Sequence, residues 1–143
     1  MDFLFKRLDR TLAAVALEVE GIEDTAERCK TFLAHYIRYC AEHPEHARIM
    51  IQESTGENPR LAWVVRNYFM PTRHIVEREY EELMDRGIIP RMSLVSLRYI
   101  TFSACNSVFT QSIEVRELYG VDTSHEAQVE AHIEAVTRLL FRD

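Results

Sequence analysis

Apolar residues recur along this chain every three or four positions, with charged residues between them, a spacing that places one apolar face on an α-helix. Alternating apolar runs joined by Asn-Gly or Asp-Gly, the signature of β-hairpins, are not found. Six helices account for nearly the whole sequence, and they begin near residues 3, 24, 44, 58, 93 and 123. The pattern therefore predicts an all-α fold.

Residues that start or bend helices stand at the predicted boundaries. Asp24 and Thr123 each precede a glutamate by three residues, which is the spacing of a capping box. Asn58 comes directly before a proline and predicts the start of a long fourth helix, in which Pro71 predicts a kink or a change of direction. The fifth helix is expected to run without a break to about residue 118.

The fourth and fifth helices each carry apolar residues on two sides, and a helix that is apolar on two sides is buried on both. One stripe on each combines aromatic side chains or methionine with a few polar groups, which is the usual lining of a small-molecule pocket. The predicted pocket residues of these stripes are Trp63, Asn67, Met70, His74, Tyr99, Phe102, Asn106 and Phe109. The alternative is an ordinary core, in which a buried Asn or His bonds to backbone carbonyls or water.

The other stripe of the fifth helix is rich in small residues, which allow a second helix to approach closely. The last helix offers an apolar stripe that would dock there, and two such helices from each of two chains would form an isologous four-helix interface. The residues predicted at this homodimer interface are Leu97, Ala104, Cys105, Val108, Val129, Ile133, Val136 and Leu140. The alternative is that both stripes are used within one chain.

Composition narrows the class of protein and the kinds of partner. With 143 residues, 47% of them hydrophobic and 28% charged, the chain is expected to form one domain, 1–143. No apolar run approaches the ~20 residues that cross a bilayer, and the charged N-terminus is not a signal peptide. Three cysteines without a C-x-x-C pair suit free thiols in the cytoplasm. A net charge of −6 without a basic stripe predicts that the chain alone does not bind DNA.

Motifs that perform catalysis or bind cofactors are not found, since the sequence has no G-x-G-x-x-G, P-loop, G-x-S-x-G or Glu-x-x-His. His43 and His46 have a spacing that would suit a metal. However, His43 directly precedes a proline, and no cysteine or carboxylate completes an obvious ligand set. We therefore expect no catalytic activity, no metal and no cofactor.

Several stretches resemble one protein family. The segment HPEHARIMIQES followed by NPRL, the break DRGIIPRMS and the closing YGVDTSHEAQVEAHIEAVTRLLF are similar to the ligand-binding domain of TetR-family (tetracycline-repressor-like) transcriptional regulators. The resemblance implies a six-helix orthogonal bundle whose last two helices form a dimeric four-helix bundle. It also implies a ligand among the second to fifth helices, where Phe32, Tyr36 and Met50 would face the pocket stripes and the polar residues of those stripes would orient the ligand.

Members of that family begin with a helix-turn-helix DNA-binding domain, whereas this sequence begins at about the helix that follows it. The resemblance therefore implies the effector-sensing and dimerisation domain of a regulator, expected to be a repressor, that reaches operator DNA only through a missing N-terminal domain. Its partners would be a second copy of the chain and a largely apolar small molecule, with no membrane involved. A stand-alone helical protein-interaction module with a tightly packed interior is the alternative, and a metal- or cofactor-dependent helical enzyme is a third.

Overall fold

The computed structural model describes the backbone of residues 2–142 and the side chains of that range except those of residues 2–5, 8 and 9. Over this range the backbone forms α-helices and one π-helical turn and contains no β-strand, which confirms the all-α prediction. The helices are α1 (Asp2–Val19), α2 (Thr25–Glu42), α3 (Pro44–Glu53), α4 (Pro59–Val64), α5 (Met70–Asp85), α6 (Leu94–Thr110), α7 (Ser112–Tyr119) and α8 (Glu126–Leu140). Leu4, Phe5 and Leu8, which the apolar pattern also assigns to the buried face of the first helix, lie outside the described side chains.

The starts of α2 and α4 follow from the capping residues that the sequence predicts. The Asp24 carboxylate accepts a hydrogen bond from the backbone N–H of Glu27 at 3.0 Å, and the Asn58 side-chain oxygen accepts one from the N–H of Leu61 at 2.8 Å. Each bond satisfies a backbone donor that has no partner inside its helix. These two predicted caps are confirmed.

The irregularity expected at Pro71 takes the form of a π-helical turn, Val65–Phe69, which joins α4 to α5 directly before the proline. The backbone N–H of Met70 donates to the carbonyl of Val65, five residues earlier. A proline inside a helix lacks a donor and its ring crowds the carbonyl four residues earlier, so widening the preceding turn relieves the conflict without ending the helix.

The predicted fifth helix is interrupted at Gln111, where φ is −106° and ψ is 32°, so the expectation of one unbroken helix is wrong. Arg48, on α3, holds the break. Its Nε donates to the carbonyl of Thr110 at 2.9 Å, and its Nη2 lies 3.4 Å from the carbonyl of Phe109 and 3.3 Å from the Ser112 hydroxyl. The guanidinium satisfies carbonyls that the end of α6 leaves without helical partners.

The capping box predicted at Thr123 is also wrong, because α8 begins at Glu126 and its N-cap residue is His125. The Thr123 side chain is buried and is not the N-cap. Asp122 orders this turn instead, since its carboxylate accepts hydrogen bonds from the backbone N–H and the hydroxyl of Ser124 at 2.9 and 2.6 Å. Tertiary packing here overrides a local sequence signal.

Helix α2 lies at the centre of the fold and packs against α1, α3, α5, α6 and α8. The buried residues of the main core are Ala26, Cys29, Ile37, Cys40, Leu83, Met84, Ile89, Leu97, Cys105, Phe109, Val129, Val136, Leu140 and Phe141. A second, smaller core contains Met50 of α3 and Val64 of α4, with Tyr68 and Phe69 of the π-helical turn packed against them. The main core fixes α6 beside α2, and the smaller core fixes the π-helical turn against α3 and α4.

Helix α1 is attached to α3 beside a buried histidine. Arg7 Nη2 lies 3.3 Å from Glu45 Oε1, and the ring of His46 packs edge-on against Tyr39 with 5.8 Å between the centroids. Burial, and to a smaller extent the positive charges of Arg7 and His43, lower the pKa of His46 to about 4, while the negative charge of Glu45 opposes this shift. In the folded chain His46 is therefore neutral at physiological pH.

We predict that acid destabilises the fold partly through His46. The unfolded chain takes up a proton at this residue near the usual pKa of 6.5, but the folded chain does so only near pH 4. The contribution to stability is therefore complete above pH 6.5 and is lost as the pH falls to 4. The loss is on the order of 3 kcal/mol. Urea unfolding measures the free energy of unfolding at each pH. Between pH 6.5 and 4 this free energy should fall less in His46→Gln than in the wild type, whereas the exposed control His125→Gln should follow the wild type. If the unfolding free energy of His46→Gln depends on pH as steeply as that of the wild type, His46 does not cause the loss of stability in acid.

Candidate functional site

Helices α2 and α6 and the π-helical turn bring three aromatic side chains and one arginine together. The rings of Tyr36 and Phe102 are tilted, with 5.9 Å between their centroids, and the guanidinium carbon of Arg98 lies 5.2 Å from the centre of the Phe69 ring. Arg98 and Phe102 are one turn apart on α6. All three aromatic residues are half-buried, so the group borders solvent. We call Tyr36, Phe69, Arg98 and Phe102 the aromatic cluster.

Arg98 is the charged member of this cluster, and the phenols close to it are neutral. Burial raises the pKa of Tyr36 well above its usual range and raises the pKa of Tyr80, on α5, to about 12. The positive charge of Arg98 opposes both shifts. At physiological pH the two phenols therefore keep their protons and add no negative charge beside Arg98.

The thiols behind the cluster are also neutral. Burial raises the pKa values of Cys29, Cys40 and Cys105 to about 12 each, and the Cys29 thiol in addition donates to a Glu79 carboxylate oxygen at 3.5 Å. A cysteine acts as a nucleophile only as the thiolate. These three thiols are therefore poor nucleophiles in the folded chain.

The structure brings together only some of the eleven side chains predicted to bind a ligand. Tyr36 and Phe102 are in contact, and Phe32 is half-buried on the same helix as Tyr36. Met50 lies in the smaller core and Phe109 in the main core. Five more of the predicted ligand residues have exposed side chains, namely Trp63, Asn67, Met70, His74 and Tyr99.

The polar residues expected to orient a ligand are mostly engaged by their own helices. Asn67 Nδ2 donates to the carbonyl of Trp63 at 2.7 Å, and Asn106 Nδ2 donates to the carbonyl of Phe102 at 2.8 Å. Asn106 is also buried, while His74 is exposed on α5. Arg98, which is not among the residues predicted to bind a ligand, is the polar group that lies over the Phe69 ring of the cluster. One signal was present, because Arg98 is the only charged residue between Met92 and Ile113.

The structure places the predicted dimer residues inside the chain rather than on its surface. Five of them are buried in the main core, namely Leu97, Cys105, Val129, Val136 and Leu140. The other three, Ala104, Val108 and Ile133, are half-buried against that core. These eight residues are therefore mainly covered by the chain's own packing.

The side of α8 turned away from the core is exposed and carries a stripe of small apolar residues beside charged ones such as Glu134 and Arg138. Its small residues recur every four positions and end in leucine, and α7 has two exposed apolar residues at its C-terminal end. We call Leu118, Tyr119, Ala127, Ala131, Ala135 and Leu139 the outer face. Tyr119 is 76% exposed and Leu139 is 70% exposed. Tyr119, Ala131 and Ala135 also line a groove of about 350 Å³ between α7 and α8.

Other observations bound the kinds of function. In the described part of the chain, no group of three or more His, Cys, Asp or Glu side chains is placed to hold a metal ion. None of the helices in residues 2–142 combines the length and the apolar character that crossing a membrane requires. No protein-family model matches the chain, and no match is found among curated proteins. The resemblance to TetR-family regulators therefore depends on the sequence patterns alone.

We predict that the cysteine thiols are inert in the folded chain. Dithionitrobenzoate should react with none of Cys29, Cys40 and Cys105 under native conditions and with all of them in urea, because burial keeps each thiol protonated and inaccessible. The control is Ser103→Cys, which places a thiol at an exposed position of α6 and should react at once. Rapid native reaction of the wild type would show that the core opens.

Proposed function

We propose that this chain is the effector-sensing and dimerisation domain of a TetR-like transcriptional regulator, a cytoplasmic repressor whose operator binding the effector controls in the intact protein. The proposal joins two features of the molecule. A second copy of the chain would cover the outer face, and a small molecule would occupy the aromatic cluster. The observation that carries it is the outer face, because an exposed apolar stripe on the last helix is what a dimeric four-helix bundle requires.

The outer face is suited to pairing with itself. Ala127, Ala131 and Ala135 stand one turn apart on α8, and their short side chains would allow the α8 helix of another copy to approach closely. Leu139 and Tyr119 add large apolar surface at the ends of this stripe. A two-fold axis through the stripe would place each surface against its own equivalent and would close the assembly as a dimer.

Contacts inside the chain hold the outer face in position. His132 Nε2 lies 2.7 Å from the backbone carbonyl oxygen of Ala104, and the His132 ring packs edge-on against Phe109 with 5.5 Å between the centroids. These contacts bind α8 to α6. A rigid, preformed face loses less entropy on association than a mobile one would.

The sensing role is supported by the position of α2 between the cluster and α1. Tyr36 of the cluster lies on α2, and His35, its neighbour in sequence, has its Nε2 3.5 Å from the Glu18 carboxylate of α1. A ligand that moves α2 would therefore act directly on α1, the helix that resembles the connection to a DNA-binding domain. Such a ligand changes operator binding only if it binds the two states of the regulator with unequal affinity.

A stand-alone protein-interaction module is the second candidate, and one observation favours it. Cavities of about 140 and 350 Å³ lie at the end of the fold formed by α7, α8 and the turn between them, away from the aromatic cluster. An unrelated helical protein would then occupy the outer face in place of a second copy. The two candidates differ in the oligomeric state of the pure chain.

We predict that Ala135→Glu separates the dimer into folded monomers. The substitution places a carboxylate in the middle of the outer face of each copy, where like charges meet and lose water. The dissociation constant should rise by roughly 30-fold or more, equivalent to ~2 kcal/mol. Native mass spectrometry and sedimentation equilibrium measure this change. Ala13→Glu, the same change at an exposed position of α1, is the matched control and should stay dimeric.

Substitution of a core residue of α8 should give a different result. Val136 is buried in the main core, so Val136→Glu should lower the free energy of unfolding by several kcal/mol. Circular dichroism should then show that this variant loses its helix signal on mild heating. A wild-type chain that is monomeric at high concentration would reject the proposed dimer and favour the interaction module. A dimer that survives Ala135→Glu would place the interface on another surface.

A further inference from the structure

We propose that Arg98 binds the acidic headgroup of the effector, and that the effector is an amphipathic organic anion whose apolar body lies against the aromatic cluster. This inference deepens the proposed sensing function, because it rests on a ligand at that cluster, and it names the chemical class of the ligand. A carboxylate or a sulfonate on a hydrocarbon or aromatic body has the chemistry that the site fits.

The position of Arg98 is the first step. It lies in the second turn of α6, in a stretch that is otherwise free of charge from Met92 to Ile113. Its guanidinium lies over the Phe69 ring and its charge acts on the phenols of Tyr36 and Tyr80. Arg98 is exposed, so a ligand can reach it from solvent. A charge that loses part of its water against a ring gains more from an ionic partner than a fully hydrated charge does.

The described part of the chain does not supply that partner. Arg98 makes no ion pair with any carboxylate whose side chain the structure describes, while acidic residues of α5 are bound elsewhere. Glu77 Oε1 lies 2.7 Å from Arg73 Nε, and Glu79 Oε1 lies 3.1 Å from Arg28 Nη2. The site therefore has a cation in place and no anion to neutralise it.

The surroundings of Arg98 indicate the rest of the ligand. Val95, one turn before it, is 70% exposed, and its neighbour Tyr99 is 61% exposed. Met70, next to Phe69 in the sequence, is exposed as well. An apolar body would cover these side chains and the rings of the cluster, while a planar acid group would form two parallel hydrogen bonds with the guanidinium.

Two dyes with one skeleton test the inference: N-phenyl-1-naphthylamine, which is neutral, and 8-anilinonaphthalene-1-sulfonate, which carries a sulfonate. We expect the wild-type chain to bind the sulfonate roughly tenfold or more tightly than the neutral dye, because an arginine–anion pair adds to the same apolar contacts. Fluorescence titration measures the dissociation constants of both dyes. In competition, decanoate should displace the sulfonate dye at a lower concentration than 1-decanol does.

The variants separate the charge from the apolar surface. Arg98→Gln should remove the preference for the sulfonate and leave the affinity for the neutral dye unchanged. Arg138→Gln, which removes the same charge from an exposed position of α8, is the matched control and should keep the preference. Phe102→Ala should weaken binding of both dyes, because it removes a ring on which either would lie. Circular dichroism checks that each variant is folded.

The outcomes distinguish this inference from the proposed function. If the wild type binds both dyes equally, or if Arg98→Gln keeps the preference, the assignment of an anionic ligand to Arg98 is wrong and sensing at the cluster stands. If neither dye binds, or if Phe102→Ala changes neither dissociation constant, the cluster is not an apolar binding site, and the proposed sensing role fails together with this inference. If Arg98→Gln loses the preference for the sulfonate dye while Arg138→Gln keeps it, the sensing role and the anionic ligand are both supported.

Discussion

The packing of α2 against α6 is the contact on which the rest of the structure depends. Ile37 of α2 and Cys105 of α6 are both completely buried, and Cys40 lies close enough to Cys105 to influence its pKa. Cysteine is small and apolar when protonated, so the two helices approach closely there without opening a cavity. Every other helix except α4 and α7 packs against this pair or against α2 alone, so the positions of the aromatic cluster and of α8 follow from it.

Helix α6 has three tasks, and its residues divide among them by their position around the helix. Leu97 and Cys105 face the main core, Arg98 and Phe102 face the aromatic cluster, and the carbonyl of Ala104 holds His132 of α8. A molecule bound at the cluster would therefore touch the same rigid element that positions the outer face. Binding and dimerisation would be coupled to the extent that the ligand favours one placement of this helix over another.

Much of this fold follows from local sequence signals, and the failures have physical causes. The caps at Asp24 and Asn58 were predictable because the donor lies three residues from the acceptor. The break at Gln111 was not, because the arginine that holds it lies about sixty residues away along the chain. Periodicity also showed that α6 is apolar on two sides and that α8 carries an apolar stripe, but it does not say which neighbour covers each side. Val129, Val136 and Leu140 of α8 enter the chain's own core, whereas Leu139 and the alanines remain outside.

The first half of α5 differs from the rest of the fold because packing contributes little to its position. All residues from 70 to 76 are exposed, and an ion pair between Arg73 and Glu77 is one of the few side-chain contacts there. Short helical segments without tertiary burial are marginal in water, and regions with few buried apolar contacts open at the lowest free energy. This segment continues directly from Phe69, which Arg98 contacts. A ligand at the cluster would therefore act where the chain resists displacement least, and part of its binding energy would go into ordering this stretch.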